Sequence, residues 1–169
     1  KELDEELKEA LMPYKEIVEI LMSAPGIGVI TAATYIATIG TPERFQDSSR
    51  VVSYIGLAIS TYNSGEKERY GHITKRGAAE LRGMLCEAAQ QARNAQNPLN
   101  PYFMRICAKH GYKKAIISVA HRLGRILYQM WKRKEHFNIN KLNIEQGEYH
   151  KIRKIYYKIK TGDTKMKIN

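Results

Sequence analysis

Apolar residues recur at helical spacing along most of the chain, which predicts a mainly α-helical protein. One such segment runs from about Ala78 to Ala95 and another from about Lys113 to Lys134. Between them, proline-rich residues 97–101 are a stop signal, and a helix over about 101–110, capped by Asn100, is expected to follow. The predicted buried stripes of the two long helices are Leu81, Leu85, Ala88 and Ala92, then Ile116, Val119, Ala120, Leu123, Leu127, Met130 and Trp131.

The N-terminal segment combines an apolar seam with an acidic surface. Apolar residues alternate there at spacings of four and three, as in a coiled coil, at Leu7, Leu11, Tyr14, Val18 and Leu21. Because proline fits the first turn of a helix and disrupts its interior, Pro13 predicts a break near Met12 and a new helix to about Ser23. Residues 1–22 are interpreted as the end of a coiled-coil or linker helix that belongs to a longer protein.

A glycine-rich turn, Ala24-Pro25-Gly26-Ile27-Gly28-Val29, joins two predicted helices and suggests a helix-hairpin-helix over about 14–39. Glycine lets the backbone turn tightly and approach a phosphate closely, and the first amides of the next helix then point at the anion. Gly26, Ile27 and Gly28 are therefore candidate nucleic-acid-binding residues. The alternative is an ordinary glycine-containing connection between packed helices.

A serine and a basic run follow a stretch of β character. Residues 57–62 and 70–73 predict a small two-stranded ribbon, and a short helix capped by Asp47 or Ser48 and ending at Gly56 precedes it. An exposed hydroxyl among positive charges suits a phosphodiester, so Ser64 is the candidate catalytic residue; the alternative is a turn residue in a solvated basic loop. The candidate nucleic-acid-binding residues here are Lys67, Arg69, Lys75, Arg76 and Arg82.

Charge is abundant and unevenly distributed. The formal net charge is +11, from 28 basic and 17 acidic side chains, and residues 132–169 carry eleven basic against four acidic residues. Nucleic acid is the favoured partner, with an anionic membrane surface second. The longest apolar run, over residues 26–40, is shorter than the roughly 20 residues that a bilayer span needs, so no membrane segment is expected. Two cysteines give no disulfide framework, which is typical of a cytoplasmic protein. Cys86 and Cys107 are interpreted as reduced core residues.

The C-terminal residues 137–169 are interpreted as a basic tail. Residues 138–147 are rich in asparagine and predict a linker. Beyond it, one helical face carries Ile152, Ile155, Tyr156 and Ile159 among lysines and arginines. Such a helix can lie along nucleic acid, an acidic partner or a membrane, and a partly ordered tail is an equal alternative.

An ordered series of motifs gives residues 14–136 a close resemblance to the C-terminal transposase domain of the insertion-sequence-110 family, which is grouped with the 116 and 902 elements. The motifs are Ala24-Pro25-Gly26-Ile27-Gly28, Arg44-Phe45, Tyr54-Ile55-Gly56-Leu57, Ser64-Gly65 with Lys67, Ile73-Thr74-Lys75-Arg76-Gly77 and Leu81-Arg82. His121-Arg122-Leu123 and Ile126-Leu127-Tyr128 also resemble the family's last conserved helix. Residues 23–136 are accordingly assigned to a serine-bearing transposase domain.

The resemblance implies a DNA recombinase with a further RuvC-like domain that binds Mg²⁺ through four acidic residues. It also implies that Ser64 is the nucleophile that links covalently to DNA, that a structured bridge RNA selects the DNA sites, and that the full-length protein forms a homo-oligomer. No cofactor is expected in the present residues, and alone they are expected to be inactive. A serine hydroxyl needs a base or a metal for activation; His72 is the nearest candidate base, and Mg²⁺ bound by the RuvC-like domain is the favoured alternative. The alternative function is a non-catalytic helix-hairpin-helix module that binds DNA.

Overall fold

The structure is a computed structural model of the chain, and it describes Glu6, residues 9–64 and residues 67–142. For residues 59–72 it describes the backbone alone. The predictions for Leu7 and for residues 143–169, which include the greater part of the asparagine-rich linker and the basic amphipathic helix, lie outside the described residues.

The described chain is mainly α-helical, which confirms the predicted fold class. Its α-helices are α1 (Lys15–Met22), α2 (Val29–Ile39), α3 (Ser48–Ile55), α4 (Ala79–Gln90), α5 (Asn100–His110) and α6 (Tyr112–Arg133). Short 3-10 turns occur at Met12–Tyr14, Pro42–Arg44, Gln91–Arg93 and Ile139–Leu142. Between α3 and α4 the chain forms an antiparallel pair of strands, β1 (Ile59–Ser64) and β2 (Lys67–Ile73).

Helix α6 is the centre of the core, and α1, α3, α4 and α5 all pack against it. Its apolar stripe is buried along its whole length, as is the stripe of α4, so both predicted sets of core residues are confirmed. Leu123 and Leu127 are fully buried, and burying a side chain of this size stabilises the fold by about 1.5–3 kcal/mol.

The hairpin of α1 and α2 joins this core through a buried tyrosine. Tyr35 on α2 donates a hydrogen bond of 3.0 Å to the carbonyl oxygen of Gly124 on α6. Burial raises the pKa of Tyr35 well above its ordinary value, so its hydroxyl remains a donor. The chain does break at Pro13 as predicted, but Tyr14 of the predicted apolar seam is 44% exposed.

The predicted ends of α3 are confirmed, and the predicted cap of α5 is wrong. Asp47 caps α3 by accepting hydrogen bonds from two backbone amides, which lower the pKa of its carboxyl group, and Gly56 ends the helix at φ +83°, both as predicted. The prediction for Asn100 was wrong, because Asn100 lies inside α5 and Leu99 is the capping position. The Asn100 side chain is buried and donates to the carbonyl oxygens of Ala92 and Arg93 instead.

Residues 137–142, which the sequence analysis placed in the tail, pack against the helical domain. The backbone amide of Phe137 donates a hydrogen bond of 2.8 Å to the Ser23 hydroxyl, and Leu142 is buried in the core. Among the helices that the structure describes, none has both the length and the apolar character needed to cross a membrane.

Candidate nucleic-acid interface

A loop of residues 74–78 connects β2 to α4 and is fixed to the C-terminal end of α3. Three backbone amides of the loop donate hydrogen bonds to carbonyl groups at or just after the end of α3. These bonds run from Thr74 to Ala58 (3.0 Å), from Lys75 to Gly56 (3.2 Å) and from Ala78 to Tyr54 (3.4 Å). The loop is therefore held to the end of α3 by its backbone, and Ala78 at its end also packs against the core.

Glycine at position 77 permits this close docking. Gly77 has φ +132°, and a Cβ atom built on it would lie 1.9 Å from the carbonyl oxygen of Tyr54. Any other residue would force the loop away from α3. The requirement for glycine here comes from packing between two backbone segments.

The docked loop presents two basic side chains to solvent. Lys75 and Arg76 are both exposed, and Lys75 adopts the left-handed conformation at φ +53°. A non-glycine residue in this conformation costs about 1–2 kcal/mol and depends on its surroundings to hold it there. We call the exposed Lys75 and Arg76 side chains the basic platform.

Arg82 belongs to the same region but has a structural contact. Its side chain is half-buried, and Nη1 donates a hydrogen bond of 3.1 Å to the carbonyl oxygen of Ile55. The guanidinium group thus caps the C-terminal end of α3, where the helix dipole favours a positive charge. Replacing Arg82 is expected to disturb the support of the basic platform as well as any contact with phosphate.

The strand pairing places Ser64 at the far end of the ribbon from the basic platform. Ser64 is paired with Lys67 at one end of the ribbon, whereas Ile59 is paired with Ile73 at the end nearest the helices. His72 is five residues from Lys67 along β2, which corresponds to about 16 Å at a rise of about 3.3 Å per residue. This spacing argues against His72 as the base for Ser64.

Ribbon pairing also locates Arg69, whose partner across the ribbon is Tyr62. Arg69 therefore lies in the part of the ribbon that carries Ser64 and Lys67. The predicted site residues thus divide by position into a group on the ribbon and a separate group, made of the basic platform and Arg82, at its base.

The three hairpin residues have different environments. Gly26 has φ +80°, and a Cβ atom there would lie 2.8 Å from the carbonyl oxygen of Ala88, so this glycine allows the hairpin to pack closely on α4. The Ile27 side chain is buried in the core. Gly28 is exposed, precedes α2 without a side-chain cap and has open space around its Cα. Of the three, Gly28 is the position most accessible to a phosphate.

The structure also shows basic residues that the sequence analysis did not select. Arg122, Arg125 and Arg133 lie on α6, and together they line one cleft. A signal was present, since these arginines recur at spacings of three and eight on the helix whose apolar stripe was recognised. The apolar periodicity identifies the core face of α6 but does not indicate the role of the basic residues beside it.

Neither a metal group nor a reactive thiol emerges from the described residues. Among them, no cluster of three or more His, Cys, Asp or Glu side chains could hold a metal ion, so they do not provide the Mg²⁺ site that the resemblance implies. Cys86 and Cys107 are free thiols, and burial raises the pKa of both. Both cysteines are therefore thiols rather than thiolates at neutral pH.

The fold and this surface define a small helical domain with a two-stranded antiparallel ribbon and exposed basic side chains at the base of that ribbon. Residues 18–104 match the family described as "Transposase IS116/IS110/IS902 family". This match covers just over half of the chain, and the chain belongs to that family. The resemblance inferred from the motifs is therefore confirmed.

Individual relatives agree with this assignment. The transposase for insertion sequence element IS1111A of Coxiella burnetii is 28% identical over 78% of this chain and 37% of its own length. The IS116 protein of Streptomyces clavuligerus is 28% identical over 81% of the chain and 34% of its length, and the IS110 protein of Streptomyces coelicolor is 29% identical over 72% and 30%. The chain thus spans about a third of the length of these relatives.

Proposed function

We propose that this chain is the part of an insertion-sequence transposase that binds DNA and supplies Ser64 as the nucleophile for strand cleavage. Family membership supports the reaction class, and the matched segment includes both Ser64 and the basic platform. The observation that carries the DNA-binding part is the exposure of Lys75 and Arg76 on a loop that is fixed by its backbone. Cations held in this way can neutralise phosphates without rearrangement of the loop.

The helix-hairpin-helix adds a second DNA contact to this proposal. The N-terminus of α2 follows the exposed Gly28, and its first amides are directed out of the helix toward that position. Gly26, which packs on α4, contributes by holding the hairpin in place.

In the proposed reaction, Ser64 Oγ forms a bond to a DNA phosphorus while the bond from that phosphorus to the leaving sugar oxygen breaks. The serine loses its proton to a base and the leaving oxygen gains one. Lys67, paired with Ser64 across the ribbon, is the cationic residue that the backbone brings nearest. Because His72 is about 16 Å along the strand from Lys67, the base is proposed to come from outside the ribbon.

The remaining partners are proposed from the family resemblance. They are a RuvC-like domain with Mg²⁺, a structured guide RNA that selects the DNA sites, and a second copy of the full-length protein. We also retain the cytoplasm as the place of action, because the substrate is cellular DNA.

A second candidate function is a non-catalytic DNA-binding module. The distance of His72 from Ser64 favours it, because the nearest candidate base in the sequence is then too far along the strand to activate the hydroxyl. In that case Ser64 is a turn residue at the end of the ribbon, and the basic platform and the hairpin carry the whole function.

Trapping the protein–DNA adduct distinguishes the two functions. Full-length protein, supplied with Mg²⁺ and its RNA, is expected to form a covalent adduct with cleaved DNA that mass spectrometry maps to Ser64. Ser64→Ala should lose the adduct and several orders of magnitude in strand exchange, because removing the nucleophile removes the pathway. DNA affinity should be nearly unchanged.

Two variants serve as controls for this experiment. Ser53→Ala removes an exposed hydroxyl from α3 and should leave adduct formation intact. The double variant Lys75→Gln/Arg76→Gln should weaken DNA binding, with a smaller salt dependence, while the residue carrying the adduct stays the same. An adduct on another residue, or normal recombination by Ser64→Ala, would leave the non-catalytic module as the function.

A further inference from the structure

A cleft of about 530 Å³ lies along α6, between the start of α3 and residues 135–142. We call it the α6 cleft. Its lining includes four cationic side chains and one carboxylate, that of Glu135. The cations are Arg122, Arg125, Arg133 and Lys141. Its size is within the range typical of small-ligand sites.

The carboxylate in the α6 cleft already has a partner. Glu135 accepts a hydrogen bond from the Lys141 ammonium group, and this ion pair lowers the pKa of Glu135. Among the side chains that the structure describes, no carboxylate pairs with the three arginines of the cleft. Arg133 also lowers the pKa of Glu135, so part of its charge is offset, whereas Arg122 and Arg125 have no carboxylate partner among the described side chains.

Two of the arginines are oriented by neutral groups. Arg125 Nε donates a hydrogen bond of 3.1 Å to the Ser48 hydroxyl at the start of α3. Arg122 Nη2 donates to the carbonyl oxygen of Leu142, and its guanidinium carbon lies 4.6 Å from the ring centroid of Tyr102. Such contacts fix the planes of the guanidinium groups and leave other N–H groups available for an oxyanion.

Arg122 and His121 in the cleft are half-buried, whereas Arg125, Arg133 and Lys141 are exposed. Burial lowers the pKa of Arg122, and the nearby Arg105 and Arg125 lower it further against an opposing effect of Tyr102. Burial and Arg125 likewise lower the pKa of His121, which lines the same cleft. Crowded cations in a partly desolvated cleft attract an anion more strongly than cations on an open surface.

We propose that the α6 cleft binds phosphate groups of a nucleic-acid backbone, as a contact site separate from both the basic platform and the hairpin. Phosphodiester chemistry fits because guanidinium groups bind phosphate oxygens with two parallel hydrogen bonds. This inference does not depend on the reaction proposed for Ser64.

The α6 cleft and the basic platform lie at opposite ends of helix α3. Its first residue, Ser48, contacts Arg125 in the α6 cleft, and the basic platform docks on Gly56 just after its last residue. Eight residues of helix span about 12 Å, whereas phosphates along one strand follow one another at about 3.4 Å of helix axis. One nucleic-acid strand a few nucleotides long is thus long enough to reach from one site to the other.

Binding of a short oligothymidylate and an oligouridylate of equal length to the 169-residue chain tests the proposal. The double variant Arg125→Gln/Arg133→Gln should lose about tenfold or more in affinity at low salt. It should also reduce the slope of log affinity against log salt by about 0.7 for each lost single-strand contact. The control Lys109→Gln/Lys114→Gln removes the same charge from exposed positions outside the cleft.

Occupancy of the α6 cleft is measured from the NMR resonances of His121. At constant pH, oligothymidylate should shift the His121 ring-proton resonances of the wild-type chain but not those of Arg125→Gln/Arg133→Gln, with circular dichroism verifying that the variant folds. Equal losses with both oligonucleotides assign the site to the shared phosphate backbone, and a loss confined to oligouridylate assigns it to the backbone of RNA. Affinity losses equal to those of the control pair, or an unperturbed His121, would overturn the proposal.

Discussion

Replacement of Gly77 by alanine should detach the basic platform from α3. The added methyl carbon would lie 1.9 Å from the Tyr54 carbonyl oxygen, while real Cβ contacts are essentially never shorter than 3.0 Å, so the loop must move by more than an ångström. Two backbone hydrogen bonds of the loop, at 3.2 and 3.4 Å, would then stretch beyond bonding distance. Loss of these bonds, at about 1 kcal/mol each, together with backbone strain of about 1–3 kcal/mol, predicts a destabilisation of roughly 3–5 kcal/mol.

Urea unfolding followed by far-UV circular dichroism measures this loss, and Gly83→Ala is the matched control. Gly83 lies in the interior of α4, and a Cβ atom there meets nothing within 4 Å, so alanine should stabilise the chain by about 0.5–1 kcal/mol. If only the loop opens, hydrogen exchange at the Lys75 and Ala78 amides should accelerate while α6 stays protected. An unchanged unfolding midpoint with unchanged exchange at both amides would refute the packing argument.

Substitutions at two hairpin glycines separate packing from phosphate binding, and a substitution of His121 tests a titration in the α6 cleft. Gly28→Glu should keep the fold and weaken DNA binding relative to Gly28→Gln, because its carboxylate would repel phosphate. Gly26→Ala should instead destabilise the fold by more than about 1 kcal/mol. Equal DNA affinities of the two Gly28 variants would contradict a phosphate contact there. The pKa of His121 is lower in the folded than in the unfolded state. Neutral His121 therefore contributes its full stabilisation above the unfolded pKa of 6.5, and this stabilisation is lost as pH falls and the ring is protonated. The fall in urea midpoint between about pH 8 and pH 5.5 should therefore be smaller in His121→Gln, and an equal fall would contradict this.

Local patterns account for the parts of the fold that the sequence predicted. The apolar stripes of α4 and α6 follow from helical periodicity, and the Asp47 cap and the Gly56 end of α3 involve neighbouring residues only. Close contacts between segments far apart in the sequence leave no local pattern from which they could be predicted. Gly26 is required by Ala88, which is 62 residues away, and Gly77 by Tyr54, so the sequence identified the glycines without their packing partners.

The ribbon shows why proximity in sequence is a poor guide to catalytic partners. His72 is eight residues from Ser64 in the chain, and a compact loop would have brought the two together. In an antiparallel pair, however, a residue's neighbours are those opposite it, and the residue opposite Ser64 is Lys67. Residues farther along β2 lie farther from the end that holds Ser64, so His72 is well separated from the serine, and Lys75 and Arg76 follow after β2 has ended at Ile73. Under the proposed function, Lys67 is the cationic residue opposite the nucleophile, the basic platform binds phosphates farther along the DNA, and the group that activates Ser64 comes from outside the ribbon.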